Sequence, residues 1–425
     1  MSEQQLEAYF GLPREVVFCK RCLMSNQRPS SYPEFKHTRN RITPTLKIDA
    51  EGVCDACRWN EWKRTQVIDW EAREKELLKL LDKHRRTDGG YDCVCPGSGG
   101  KDSVYAAHIL RYKYGMNPLT VTWPPILYTD IGLKNFRAWL DVGGFDNISF
   151  KPNGRVHRIL TRLAIENLLH PFQSFIIGQK NLAPKLAAKF DIPLIFYGEN
   201  EAEYGNPIGD NMSSLRDKSY FTYQHLDEMF LGGVAVKELL ERNDMTLTDL
   251  KTYLPISADE LENKQLEVHY LGYYLPWTPQ ETYYYAVENC GFQANPSRTE
   301  GTYSKYNSLD DKIDGFHYYT TYIKFGLGRA TYDASQEARN GDITRDEAIA
   351  LIRRYDGEYS DRFERDNFAY LSLPDKEFPI ASKRFEQPIV DRQYFERLTD
   401  RFRSPHIWML SDGKWRLRKA IYDIV

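Results

Sequence analysis

Four cysteines stand in two Cys-x-x-Cys pairs, Cys19-Lys-Arg-Cys22 and Cys54-Asp-Ala-Cys57. Each spacing lets one tight turn aim two sulfurs at a common centre, and four thiolates meet the tetrahedral preference of zinc; an iron–sulfur cluster is the other ligation such a set supports. Four thiolates leave a zinc ion no open position, so its expected role is structural. The second reactive stretch is Pro96-Gly97-Ser98-Gly99-Gly100-Lys101-Asp102-Ser103, placed between the apolar "YDCVC" and a helical pattern. It has neither the Gly-x-x-x-x-Gly-Lys-Ser/Thr spacing of a Walker loop nor Gly-x-Gly-x-x-Gly. Its glycines still permit close backbone approach, its successive N–H groups form an anion nest, and the following helix start adds its dipole. Ser98 and Ser103 supply hydroxyls. Asp102 alone would repel a phosphate, which implies Mg²⁺ on a bound polyphosphate. Lys101, Asp102 and Ser103 are the candidate catalytic residues; Ser98, Gly99 and Gly100 complete the cradle.

The elements that must position these groups follow from periodicity. Residues 91–205 alternate strand and helix signals: "YDCVC", "LTVTW", "NISF" and "IPLIFYG" as strands, with helical patterns between them. That alternation predicts an α/β fold, a parallel sheet with helices on both faces, and the loop sits after the first strand, where such sheets bind ligands. The strand at 192–198 runs into "ENEAEYG", which should aim Glu199, Asn200 and Glu203 into the cleft. Residues 1–58 form the four-Cys module, and 59–90 read as one amphipathic linking helix. Residues 206–425 form a mostly helical substrate-binding or interface region, in which Thr344 and Glu347 have capping-box spacing. There, Lys324 and Arg329 of "KFGLGRAT" suit diphosphate or carboxylate recognition, with Asp310, Asp311 and His317 as further polar candidates. The aromatic run "YLGYYLPW…TYYYA" reads as a core stripe or subunit interface before a sugar- or uracil-stacking surface.

Bulk composition narrows the classes. At net charge −3 and pI near 6.3 there is no basic excess of the kind that signals broad nucleic-acid binding. The N-terminal residues lack a signal-peptide pattern and no apolar run approaches a membrane span, so a cytoplasmic protein is expected. Seven cysteines, an odd number, argue against a disulfide framework. Cys93 and Cys95 fall within the first strand and read as core residues, although they lie near the loop.

Ser-Gly-Gly-x-Asp-Ser resembles the pyrophosphate loop of the ATP pyrophosphatase superfamily, which implies a PP-loop, HUP-like domain that splits ATP between its α and β phosphates. In such folds the second strand's end lies along adenine and ribose, which by position gives Thr122 and Trp123; Glu199 joins the nucleotide and substrate sets. The four-Cys module, "SGGKDS", "GENEAEYG" and "EGTYSKYNSLDDKIDGFHYYTTYIKFGLGRATYDASQEARNGDITRDEAI" together resemble the N-acetyl sugar amidotransferase family of bacterial surface-polysaccharide pathways, including O-antigen and pseudaminic- or legionaminic-acid branches. The resemblance spans nearly the whole chain. It implies an ATP-dependent, C–N bond-forming synthetase that turns an acetamido group on a nucleotide-linked or acidic sugar into an acetamidine, with ATP, Mg²⁺ and structural Zn²⁺. Nitrogen would come from a separate HisH-like glutaminase through a HisF-like, ammonia-delivering subunit. Consistently, Met1 is followed by Ser2, where an N-terminal-nucleophile glutaminase needs Cys, and no Gly-x-Cys-x-Gly elbow is present. A homodimer is compatible with this. The alternatives are a PP-loop tRNA thiolase or lysidine-type enzyme, and a zinc scaffold that binds ATP without turnover.

Overall fold

The structure, a computed structural model, describes residues 6–65, 67–242 and 245–423. Met1 and Ser2 lie outside the described residues. Five parallel strands form the central sheet: β1 Cys93–Pro96, β2 Pro118–Thr122, β3 Asn147–Ser149, β4 Leu194–Tyr197 and β5 Glu267–Tyr270, in the order β3-β2-β1-β4-β5. Both faces are covered, as a parallel sheet requires. Alternation along β1 sends Cys93 and Cys95 to one face, against α2 (Trp70–His84), α3 (Lys101–His108), α4 (Asp130–Asp141) and the helix Pro279–Cys290. Val94 faces the other way, into a core built on α5 (Gly154–Leu168) and α6 (Gln173–Phe190). The chain therefore changes sides between β3 and β4, and the carboxyl ends of β1 and β4 flank the crevice where strand order reverses.

The expected alternation holds for β1 to β4, but the sheet does not end near residue 205. β5 leads into the aromatic run, and its "EVHY" pairs with "LIFY" of β4. The two strands are separated by a long excursion of short elements. The single linking helix is also two. α1 (Asp55–Arg64) begins inside the four-Cys module and carries Cys57, and α2 starts anew at Asp69, whose carboxylate accepts from Ala72 N–H. An N-cap carboxylate with β-branched Thr65, Val67 and Ile68 ahead of it outweighs the continuous apolar pattern.

The C-terminal region is mainly helical: Asp314–Phe325, Arg329–Asn340, Arg345–Tyr355, Glu364–Leu371 and Arg392–Asp400, followed by a hairpin of Trp408–Ser411 and Lys414–Leu417. Thr344 and Glu347 form the reciprocal capping box that their spacing predicts. Part of the aromatic run packs inward, with Tyr274 and Trp277 buried and Tyr283 stacked on Tyr306 at 4.4 Å, while Tyr284 is exposed. Among the described residues no helix is long and apolar enough to cross a membrane.

Candidate functional site

Cys19, Cys22, Cys54 and Cys57 converge: all four are buried, and their sulfurs lie within 4.8 Å of one another. Cys19 and Cys57 are 3.7 Å apart and Cys22 and Cys54 3.5 Å, close to the edge of a tetrahedron with metal–sulfur bonds of about 2.3 Å. The knuckles are built by local strain and turns. Leu23 takes φ 75° just after Cys22, Gly52 takes φ 83° before Cys54, and backbone N–H groups of Arg21 and Cys54 point at Cys19 Sγ at 3.4 Å each. Hydrogen bonds from the other three thiols pull Cys19 far below the ordinary thiol value, while Cys57 is pushed far above it by the same crowding and by burial. Four sulfurs so placed fit a structural zinc ion.

The glycine-rich loop lies at the switch point. Gly99 has φ 86°, and a Cβ there would meet Phe136 Cα at 2.7 Å; a Cβ on Gly97 would meet that of Ser103 at 2.1 Å. Only glycine fits either position. Among the described residues, no protein group accepts from the backbone N–H of Ser98, Gly99, Gly100 or Lys101. Four such orphan donors at a helix start are an anion cradle. Ser103 Oγ donates to Gly100 O at 2.9 Å and Ser98 Oγ to Asp310 Oδ2 at 2.8 Å.

Asp102 is held from three sides. Lys101 Nζ donates to both carboxylate oxygens at 2.8 Å, Trp277 Nε1 to Oδ1 at 3.1 Å, and Thr282 Oγ1 approaches Oδ1 at 3.5 Å. Across the crevice stands Glu199, pushed up to about 7 by burial and by the Asp102 charge. Two carboxylates that repel one another beside an anion cradle fit a divalent cation between protein and polyphosphate. A cavity of about 360 Å³ runs from the loop past Asp102, Lys180, Glu199 and Arg216, and a second of about 310 Å³ opens on the loop's other side. Arg329 lines the second cavity, over the Tyr318 ring at 4.6 Å and paired to Asp333 at 3.0 Å.

Thus Ser98, Gly99, Gly100, Lys101, Asp102, Ser103, Glu199 and Arg329 come together. Other expected residues do not. Thr122 is buried and accepts from Asn147 at 2.9 Å, and Trp123 packs in the core against Gly178 of α6; the second strand's end points into protein. Asn200 Oδ1 caps the following turn at Ala202 N–H. Glu203 turns toward α1, taking Lys63 Nζ at 2.7 and 2.8 Å and Trp59 Nε1 at 2.7 Å. Asp311 accepts from the N–H groups of Ile126, Leu127 and Ile313, clamping the segment after β2 to the C-terminal region. Lys324 lies in a separate cavity, donating to Leu168 O at 2.8 Å.

Trp277, Lys180, Arg216 and Tyr204 were not foreseen at the site. The one hint for Trp277 was its place before Thr278, the N-cap of the helix Pro279–Cys290. Cys93, Cys95 and Cys290 are all buried in the apolar core under the sheet, away from the crevice.

Residues 300–422 match the family described as "LPS biosynthesis protein WbpG-like, C-terminal domain". The uncharacterized protein MJ1599 of Methanocaldococcus jannaschii is 40% identical over 53 residues, which span 12% of this chain and 19% of that protein's length. The structure of NMN synthetase from Francisella tularensis aligns over 72% of this chain and 98% of its own, with 13% identity and a TM-score of 0.29, too slight a likeness to bear on function. The C-terminal region is similar to that of WbpG-like proteins of LPS biosynthesis.

Proposed function

We propose that the protein is the synthetase component of an ATP-dependent sugar amidotransferase, acting on an acetamido sugar of bacterial surface-polysaccharide assembly. The observation that carries this reading is the orphan N–H cradle at the β1–β4 crevice, with Asp102 facing Glu199, in a chain whose C-terminal region is WbpG-like.

The backbone N–H groups of Ser98 to Lys101 bind and orient the β and γ phosphates of ATP. Asp102 and Glu199 would hold Mg²⁺, which when bound would neutralise polyphosphate charge. Lys101, already on Asp102, is placed to follow charge onto departing pyrophosphate. The acetamido oxygen attacks the α phosphorus, the α–β bridge bond breaks, and pyrophosphate leaves. Ammonia adds to the imidate carbon of the adenylated sugar, and AMP departs with its oxygen, leaving an acetamidine. Adenylation is needed because an amide oxygen is a poor leaving group. A partner glutaminase supplies the ammonia.

The test is incubation with ATP, Mg²⁺, ammonium and a panel of nucleotide-linked acetamido sugars. AMP, pyrophosphate and a product in which amide oxygen is replaced by NH are expected in equal amounts. An Asp102→Ala protein that stays folded and still turns over would overturn the assignment.

A further inference from the structure

The cavity that holds Lys324 is assigned no role by the loop chemistry, yet charged and polar groups share its wall with apolar ones. It measures about 310 Å³ and lies where three parts of the chain meet: the strap Pro29–Thr43 of the N-terminal module, the α5–α6 junction, and the helix Asp314–Phe325. Arg41 stands over the Tyr32 ring at 3.4 Å, and Lys324 over Phe10 at 5.2 Å. Among the described residues, no carboxylate forms an ion pair with Arg39, Arg41 or Lys324. The chamber's acid, Glu34, instead faces His37 Nδ1 at 3.2 Å and His170 Nε2 at 3.5 Å. His317 stacks on His170 at 5.2 Å.

Several of these groups are left wanting. Among the described residues, His37 Nε2, Arg41 Nε, His170 Nδ1 and His317 Nδ1 are buried without a hydrogen-bond partner. Native interiors rarely leave so many unmet polar atoms in one place unless another molecule completes them. Burial holds His37 and His317 below the ordinary imidazole value, so both rings are neutral at pH 7 and each offers one donor and one acceptor. Burial also lowers Lys324, to about 8, which leaves it mostly charged. The chamber therefore presents a net positive charge, mixed donors and acceptors, and aromatic rings. Ser31 belongs to the wall of this chamber and to that of the loop cleft, so the two spaces are neighbours.

We propose that the chamber is a binding site for an anionic polyol, a carboxylate- or phosphate-bearing sugar, with Arg41 and Lys324 holding the charged group and Glu34, His37 and His170 the hydroxyls. The chamber would seat the charged part of the substrate while the acetamido end reaches the cleft past Ser31. As to what the bound sugar does next, it rests on the amidotransferase reading; the binding itself is measured apart from turnover.

The experiment is calorimetric titration of the full chain with the loop cleft saturated by α,β-methylene-ATP. Glucuronate, UDP-N-acetylglucosamine and N-acetylglucosamine are the probes. At least one charged probe should bind more tightly than the neutral sugar, and which one does separates carboxylate from diphosphate recognition. Lys324→Gln and Arg41→Gln should each weaken that probe about ten- to a hundredfold, as expected for a lost hydrogen bond to a charged group. Arg39→Ala, at an exposed position that leaves folding intact, should weaken it by a smaller factor. Equal affinity for charged and neutral probes, no saturable binding of either charged probe, or unchanged affinity in all three folded variants overturns the proposal. Failure of the ATP analogue to bind counts against the loop reading alone, and the probes are then titrated without it.

Discussion

Burial, and after it the Asp102 charge across the crevice, keeps the proton on Glu199 up to about pH 7. Two consequences follow for pH. Because the folded value is raised above 4.5, folding favours the protonated form, so this stabilisation is complete below pH 4.5 and is lost as pH rises through about 7. A divalent cation must displace that proton, so Mg·ATP affinity should climb with pH and level off above about 7. Calorimetry in buffers of different ionisation enthalpy should detect proton release below that pH, and Glu199→Gln should abolish both the release and the slope. Ser103→Ala, like Asp102→Ala, should abolish pyrophosphate release in a protein whose melting temperature is nearly unchanged. Gly99→Ala differs: with φ 86° and Phe136 Cα in the way, it should cost more than about 1 kcal/mol in urea unfolding and weaken ATP binding too.

At the scale of elements, the loop is steadied from a distance by α1. Lys63, on α1, donates to Glu203 and to the carbonyl of Trp277 at 3.2 Å, and Trp277 in turn donates to Asp102. On the proposed function Trp277 is a positioning residue. Trp277→Phe keeps the ring and loses the N–H, and should lower kcat more than it raises KM for ATP. The Lys63–Glu203 pair is 8% and 6% exposed. Lys63→Met strands a buried carboxylate and should cost about 3–5 kcal/mol in urea unfolding. Lys63 and Glu203 are both visible in the sequence, but nothing in their spacing ties residue 63 to residue 203. Glu203 reads as a cleft acid because it follows a strand end, and it turns away because an indole and an ammonium on α1 satisfy it better.

At the scale of the molecule, the four-Cys module is a brace between the loop domain and the C-terminal region. Arg339, on the helix Arg329–Asn340, lies beside the sulfurs and donates to Glu203 O at 2.8 Å. Zinc removal should therefore loosen more than the N-terminal residues. A strong chelator, or Cys→Ser at any of the four positions, should lower the melting temperature, and hydrogen exchange should rise at 200–206 as well as at 19–57. Protection at 200–206 unchanged after metal loss would refute the brace.

Local chemistry was legible without a structure. Glycines that tolerate φ 86°, paired cysteines, the capping box at Thr344, and strands β1 to β4 declare themselves because each depends on neighbours a few residues away. β5 did not, since a four-residue strand edged by aromatics looks like any apolar run until its parallel partner, some seventy residues earlier, is beside it. Nor did the fates of Thr122, Trp123, Asn200 and Glu203, because a strand's end names a position and packing chooses the direction. The sequence by itself determined a glycine-rich loop at a helix start, a four-sulfur centre and the α/β order that presents the loop. Only the tertiary structure decided which charges face one another at the crevice, and that three distant segments enclose a second polar chamber next to it, because burial and partnership are set by contacts between residues far apart in the chain.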